Sequence, residues 1–475
     1  MKFIINIPFR CGRQLLVCLT LMVLMPSCKK FVAFDPPPTF TTDDKVFNND
    51  KSATAAMLAV YIGMMNDRYG SNGSFVCFSM TALGSMSANE LVWTQNNTTA
   101  PTFQQFGDHA LTPDNTYVHA FWLDGYNYIY QINAILEGLQ KSTGVSAGVK
   151  QQLEGEARFM RAFCYFYLVN LFGDVPLVLT TAYQGNMILP RTSSDKVWQQ
   201  IIDDLTAAKG MLTTTYPTAE RLRPNRWTAS ALLARTYLYT GKWPEAEAAA
   251  NGIIASGDYA TTLPALNTVF LKGSTEAIWQ LQPVQASANT LEGAQFIVTG
   301  VTQPNYEFTP QLLSAFEPGD QRKIEWIGYS DPANPAWAYP SKYKAGAGSV
   351  TEYYMVFRLT EQYMIRAEAC ARQGGAKLPQ ALADLNVIRK RAGVLLSAIT
   401  DKDALLLAIE HERQVEFFAE WGHRWFDLKR TGRAEAILKP LSPPGNWKPG
   451  SVLYPIPSSE ISADPKLTQN DAYAK

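Results

Sequence analysis

Four histidines in 475 residues leave little material for a metal centre or a Ser-His-Asp triad. Neither G-x-S-x-G nor G-x-x-x-x-G-K-[ST] occurs, so the hydrolase elbow and the phosphate-cradling loop are both missing. An excess of one charge is also lacking: Lys+Arg and Asp+Glu stand at 42 each. Without a basic surplus there is no electrostatic footprint for nucleic acid, and no acidic run marks a solvating tail. Charged residues reach only 18% against 47% apolar ones, a composition that folds. The apolar run LLVCLTLMVLM, from Leu15 to Met25, is too short to span a bilayer.

That run follows Lys2, Arg10 and Arg13 and has the length of a signal-peptide core. It ends in PSCKK, with the small Ser27 directly before Cys28. We read residues 1–27 as a lipoprotein signal, cut before Cys28, whose thiol and new amine are then acylated. The alternative is an ordinary signal peptide with an incidental cysteine, because Met25 and Pro26 depart from the usual small-residue pattern. Removing residues 1–27 leaves 39 basic against 42 acidic residues, a formal charge of −3. Of the six cysteines, Cys11 and Cys18 leave with the signal and Cys28 carries lipid. Cys77, Cys164 and Cys370 remain, an odd number without C-x-x-C spacing, so no disulfide framework is expected. Cys164 and Cys370 fall in helical stretches as small buried residues. KKFVAFDPPPTFTTDD reads as an extended tether over residues 28–45, followed by a single domain over 46–475.

The body is rich in helical periodicity. In ASALLARTYLYTGKWPEAEAAANGIIASGDY, one helix stops at Gly241 and a second starts near Pro244 and runs to about Ser256. Ala246, Ala249 and Ala250 let the pair approach closely, the pattern of a tetratricopeptide-like unit. HAFWLDGYNYIYQINAILEGLQ, GEARFMRAFCYFYLVNLFG, SSDKVWQQIIDDLTAAKGML, RLTEQYMIRAEACARQGG and LPQALADLNVIRKRAG repeat the theme. The expected fold is mainly α: stacked helical hairpins, or α-α superhelix, with a few short strands such as EAIWQLQPV. Residues 67–114 and 258–350 interrupt the pattern with Gly, Pro, Asn and aromatics. They read as loop-rich insertions on a helical frame, where binding usually sits.

The chemical motifs fail individually. His411-Glu412 opens like H-E-x-x-H, but Val415 occupies the second histidine position, so the zinc site is not made. Glu412, Glu416 and Glu420 lie at i, i+4 and i+8. A glycosidase pair faces itself across a cleft, whereas this ladder calls for partners such as Arg389, Arg391 or Arg424. Ser193-Ser194-Asp195-Lys196 matches S-x-x-K without its companions and reads as a helix cap at Ser194 or Asp195. No catalytic residue, metal site or cofactor is assigned.

Five segments together resemble the SusD/RagB family of surface nutrient-binding lipoproteins. GEARFMRAFCYFYLVNLFGDVPLV, RLTEQYMIRAEACAR, ALADLNVIRKRAG, HERQVEFFAEWGHRWFDLKR and LYPIPSSEISADPKLTQN occur in the family's order. Phe417 stands where leucine is commoner, and Asp471 replaces the terminal glycine. The resemblance implies an outer-membrane protein, lipid-anchored and facing the cell surface. It implies that the chain binds a glycan without catalysis and passes it to a SusC-like TonB-dependent transporter. It also implies that Glu412, Arg413, Glu416, Arg424, Asp427 and Arg430 are scaffold. The alternatives are a gating lid for the transporter with weak or peptide binding and, further off, a carbohydrate-active enzyme.

Sugars are held by aromatic faces and by amides or carboxylates for the hydroxyls. Trp93, with Asn89, Gln95, Asn96 and Asn97 around it, offers both. The candidate ligand residues are Trp93, Asn96, Tyr306, Trp326, Trp337 and Tyr339, with Tyr329 and Tyr343 nearby in sequence. Each competes with the reading that it packs under its own loop. Trp279, Trp122, Trp198, Trp243 and Trp425 are expected in the core.

Overall fold

The structure is a computed structural model, and it describes residues 43–65, 76, 78–96, 100–260, 262–284 and 288–474. The expected signal segment, Cys28 and the expected tether before residue 43 lie outside the described residues, as do Cys77 and Asn97. Among the described residues, no helix is long and apolar enough to cross a membrane.

Helical hairpins form the frame. After a turn at Asp43–Val46 come α1 (Asp50–Met65) and α2 (Ser79–Ser87), then the short strand β1 (Leu91–Trp93). Helix α3 (Thr116–Lys141) starts at Asn115, whose side chain accepts from the amides of Tyr117 and Val118. Helix α4 (Ala147–Phe172) is buried all round from Phe159 to Phe172 apart from the edge of Asn170, which makes it the central rod. It stops at Gly173, where φ is +74°. Helices α1, α3 and α5 (Ser194–Met211) pack around it. Helices α6 (Arg226–Tyr239) and α7 (Trp243–Ile254) form the expected hairpin, with an Asn225–Thr228 capping box. The turn between them passes through Gly241 at φ +70°.

Among the described residues, three ribbons of two antiparallel strands supply the sheet content. They pair β1 with β3 (Tyr306–Phe308), β2 (Ala277–Leu281) with β6 (Tyr354–Arg358), and β4 (Ile327–Tyr329) with β5 (Ala338–Pro340). Strand β6 runs straight into α8 (Leu359–Gln373). Helices α9 (Leu378–Ala392), α10 (Lys402–Phe417, capped by Asp401) and α11 (His423–Arg430) follow. Successive helices from α4 to α9 pack on their neighbours, and Ala246, Ala249 and Ala250 sit between α6 and α8. Cys164 and Cys370 are buried free thiols, and burial pushes both thiols up.

Three local expectations need correction. Residues 79–87, inside a stretch read as a loop-rich insertion, form a helix buried at every position. Its glycine explains why: a Cβ on Gly84 would lie 2.7 Å from the Cα of Gly422, so small residues here serve a close crossing with α11. The cap of α5 is neither Ser194 nor Asp195. The Asp174 carboxylate, from the turn after α4, accepts the Ser194 amide and hydroxyl, both at 2.7 Å. Trp122, Trp279 and Trp425 are core residues, whereas Trp198 and Trp243 are only partly buried.

Candidate ligand face and the buried charge network

The glutamate ladder is answered by arginines from distant elements. Glu412 meets Arg322 at 2.7 Å and Arg389 at 3.0 Å. Glu416 meets Arg358 at 2.6 Å, Arg322 at 3.1 Å, and Arg391. Glu420, past the end of α10, takes Arg358 at 2.9 Å and the Lys342 ammonium. Arg424 pairs with Glu410 at 3.1 Å and not with the ladder. Burial alone would raise Glu416, but Arg391, Arg358 and Arg322 overcome it and hold the carboxyl well below the usual range. Lys342 is pushed down to about 8 by burial, against the pull of Glu420. Arg413 and Arg430 clamp Asp427 at 2.7 and 2.8 Å, and Arg430 reaches Glu368 at 2.6 Å. With every carboxylate neutralised and buried, the ladder offers no general acid or base to a substrate.

The same network answers the metal question. Ligand atoms of Glu317, His411 and Glu412 lie within 4.8 Å of one another. Arg389 and Arg322 already occupy both carboxylates, and His411 Nε2 lies 2.8 Å from the Ala315 carbonyl oxygen. A cation there would have to displace guanidinium groups, so the donor set does not suit a metal.

The six candidate ligand residues separate into interior and surface. Trp93 and Tyr306 are register partners on the β1–β3 ribbon, with ring centroids 4.9 Å apart. Tyr306 is only 2% exposed, packed against Phe78, Phe103 and Phe296, and burial pushes its hydroxyl up. Trp326 is fully buried: its indole donates to the Leu266 carbonyl at 3.0 Å, and the Lys342 ammonium lies 4.7 Å from its ring centre. Neither ring has a face open to a ligand in this structure. Tyr343 is also interior, its hydroxyl accepting the Met355 amide at 2.9 Å.

Trp93 differs. It is half-buried, backed on one side by Phe103 at 4.7 Å in a stacked arrangement, with Tyr117 behind Phe103 at 4.8 Å. Its indole N–H is shielded from solvent and has no hydrogen-bond partner among the described residues. Asn96, three residues on, is exposed.

The β4–β5 hairpin carries Trp337 and Tyr339, both half-buried, and Tyr329, which is 37% exposed. The Tyr339 ring lies over Gly328 on the opposite strand, where a Cβ would come within 2.3 Å of it. Strand β5 runs beside β3, so hairpin and ribbon share one side of the molecule. Between them opens a largely apolar groove of about 500 Å³, with Val92, Glu307, Pro310, Leu313 and Pro335 on its walls. Pro335 and Ala336 reach its rim just before Trp337. Sequence reasoning missed Phe103 and Tyr117, which brace Trp93, and Val92, which faces the groove. The only available signal was alternation along a three-residue strand, too short to read.

Comparisons with known proteins agree with the helical frame. A family model described as starch-binding and associating with the outer membrane matches residues 42–238, and the SusD family model matches residues 332–473. SusD-like protein P25 of Formosa agariphila is 23% identical, with 94% of this chain and 96% of that protein aligned. The solved structure of a laminarin-binding SusD-like protein superposes with a TM-score of 0.77 at 24% identity, covering 90% of this chain and all of that one. Surface glycan-binding protein A of Bacteroides thetaiotaomicron, solved with laminarihexaose, gives 0.75 at 19% identity with the same coverage.

Proposed function

The chain belongs to the SusD/RagB family, and from that premise we propose that it captures an oligosaccharide at the cell surface and passes it to a SusC-like TonB-dependent transporter. Members of the family bind glycans without catalysis. One of the two family models names outer-membrane association. Lipid attachment at Cys28, outward orientation and the transporter partner extend that association for this chain.

The observation that carries the ligand face is the Trp93 indole. It is braced from behind by Phe103 and only half-buried, on the face of the ribbon opposite Val92 and the groove. A sugar ring stacks on such a surface through its apolar C–H face, while hydroxyls find the exposed Asn96 amide. Trp337 and Tyr339, from the facing hairpin, extend the platform. Tyr306 contributes by fixing Trp93 from below, and Trp326 by anchoring the hairpin's base.

Of the solved relatives, one is a laminarin-binding SusD-like protein and another was solved in complex with laminarihexaose, so a β-1,3-glucan is the first probe. Native gels cast with laminarin should retard the chain from residue 29 onward, and Trp93→Ala should migrate faster than wild type. Equal retardation of both would remove Trp93 from the site. No retardation with laminarin, starch, xylan or mannan would count against glycan capture. Cys28→Ala in the full chain should leave the outer-membrane fraction; retention there would contradict the lipid anchor.

A further inference from the structure

Trp198 lies on α5, in the helical frame and not on a strand ribbon. The sequence reading placed it in the core, yet its ring is only partly covered. It borders a cleft of about 390 Å³ between α5 and the α6–α7 hairpin, a size within the usual range for small-ligand sites, about 300–1,000 Å³. The cleft is lined by Asp195, Trp198, Gln199, Tyr239, Thr240 and Lys242. We propose that this cleft is a second saccharide subsite, separate from the loop-and-strand face. The inference rests on the reading that the chain binds glycans.

The walls are fixed before any ligand arrives. Phe166 of α4 holds the Trp198 ring edge-to-face at 5.6 Å, and Tyr239 tilts toward it at 6.5 Å. Behind Tyr239 the Arg430 guanidinium sits 5.2 Å from the ring centre. The turn at Gly241 folds Lys242 back over Tyr237 at 5.9 Å, so the ammonium stays at the cleft's edge. Two aromatic rings held this way give a ligand an apolar surface at little entropic cost.

The polar groups select the ligand class. Gln199 donates its amide N–H to Asp203 at 2.8 Å, which leaves its carbonyl oxygen for an incoming hydroxyl. Asp195 accepts from hydroxyls, Lys242 donates to them, and their charges cancel. One ammonium beside one carboxylate is a poor seat for a phosphate or a polyanion. Aromatic faces with dispersed hydroxyl partners and no net charge suit a neutral sugar.

Fluorine NMR of the chain from residue 29 onward, labelled with fluorotryptophan, tests the proposal. All 11 tryptophans lie within it, and Trp198→Phe, Trp93→Phe and Trp337→Phe assign the three signals that matter. The probes are laminarihexaose and maltohexaose. The Trp198 signal should shift saturably with one of them. Gln199→Ala combined with Lys242→Met should weaken that response about fivefold or more, with the remaining spectrum unchanged. A Trp198 signal that stays still while Trp93 or Trp337 shifts would overturn the subsite and leave the main site standing. A Trp198 shift that vanishes in Trp93→Ala but survives the Gln199/Lys242 change would mark a transmitted effect, which also overturns it. If no signal moves with either sugar, the subsite and its premise both lose support.

Discussion

Glu416 is fully buried and touches Arg322, Arg358 and Arg391. Replacing it by glutamine removes the one carboxylate that these three guanidinium groups share and leaves them to Asp320, Glu412, Glu276 and Glu420 in a low-dielectric interior. Breaking a buried network from one side costs about 3–5 kcal/mol. Urea unfolding of Glu416→Gln should show a loss of that order, whereas a loss below about 1 kcal/mol would mean the network is redundant. Glu90 behaves in the opposite sense. Burial pushes it up to about 7, only partly offset by Arg424 and Lys342, and one carboxylate oxygen has no partner among the described residues. As pH rises from about 4.5 to about 7, the unfolded chain gives up this proton first. The folded state then binds more protons than the unfolded one, so this group's contribution to stability falls across that window. Glu90→Gln should therefore gain about 3 kcal/mol over wild type at pH 8 and about 1 kcal/mol or less at pH 5, measured by urea unfolding at both. An equal gain at the two values would contradict a neutral buried Glu90.

At the scale of elements, two contacts between segments distant in sequence are open to test. Gly84 of α2 crosses Gly422 at the start of α11, with no room for a methyl group. Gly84→Ala should cost about 1–3 kcal/mol through forced separation, read as a lower Tm. Asp174 caps α5 through the Ser194 amide and hydroxyl, and Asp174→Ala should cost about 1 kcal/mol. These contacts also show where the sequence was readable. Helices α4, α6, α7, α8 and α9 announced themselves because long apolar periods and Gly or Pro punctuation are local signals. The cap at Asp174 lies twenty residues from the serine it serves, outside any capping template. Helix α2 was hidden because SMTALGSMS looks like a loop, although its small side chains serve tight packing.

In the whole molecule, the buried charges join what the sequence presents as separate parts. Arg322 and Lys342 come from the second insertion, Arg358 from β6, and Arg389 and Arg391 from α9, and they converge on Glu412, Glu416 and Glu420. The insertion is thereby pinned to the helical frame, and the hairpin bearing Trp337 and Tyr339 inherits a rigid base. Arg389 and Arg391 were legible as partners because they sit on a neighbouring helix. Arg322, Arg358 and Lys342 were not, since nothing local marks a long-range ion pair. The candidate ligand face was legible by composition, not by orientation. Aromatics in Gly/Pro-rich segments drew attention to five of the six positions and an amide near Trp93 to the sixth, but the fold turns Tyr306 and Trp326 inward and leaves Trp93, Asn96, Trp337 and Tyr339 on or near the surface.

The central claim is that this chain binds a glycan through that face and does not cleave it. It is tested most directly by calorimetric titration of the chain from residue 29 onward with a panel of β-1,3-, α-1,4-, xylo- and manno-oligosaccharides. The titrated sample should then be analysed for products, with Trp93→Ala and Trp337→Ala run in parallel. The expected result is saturable binding to one class, weakened about tenfold or more in at least one variant, with the oligosaccharide recovered intact. Binding that neither variant weakens, or shortened products after incubation, would contradict it.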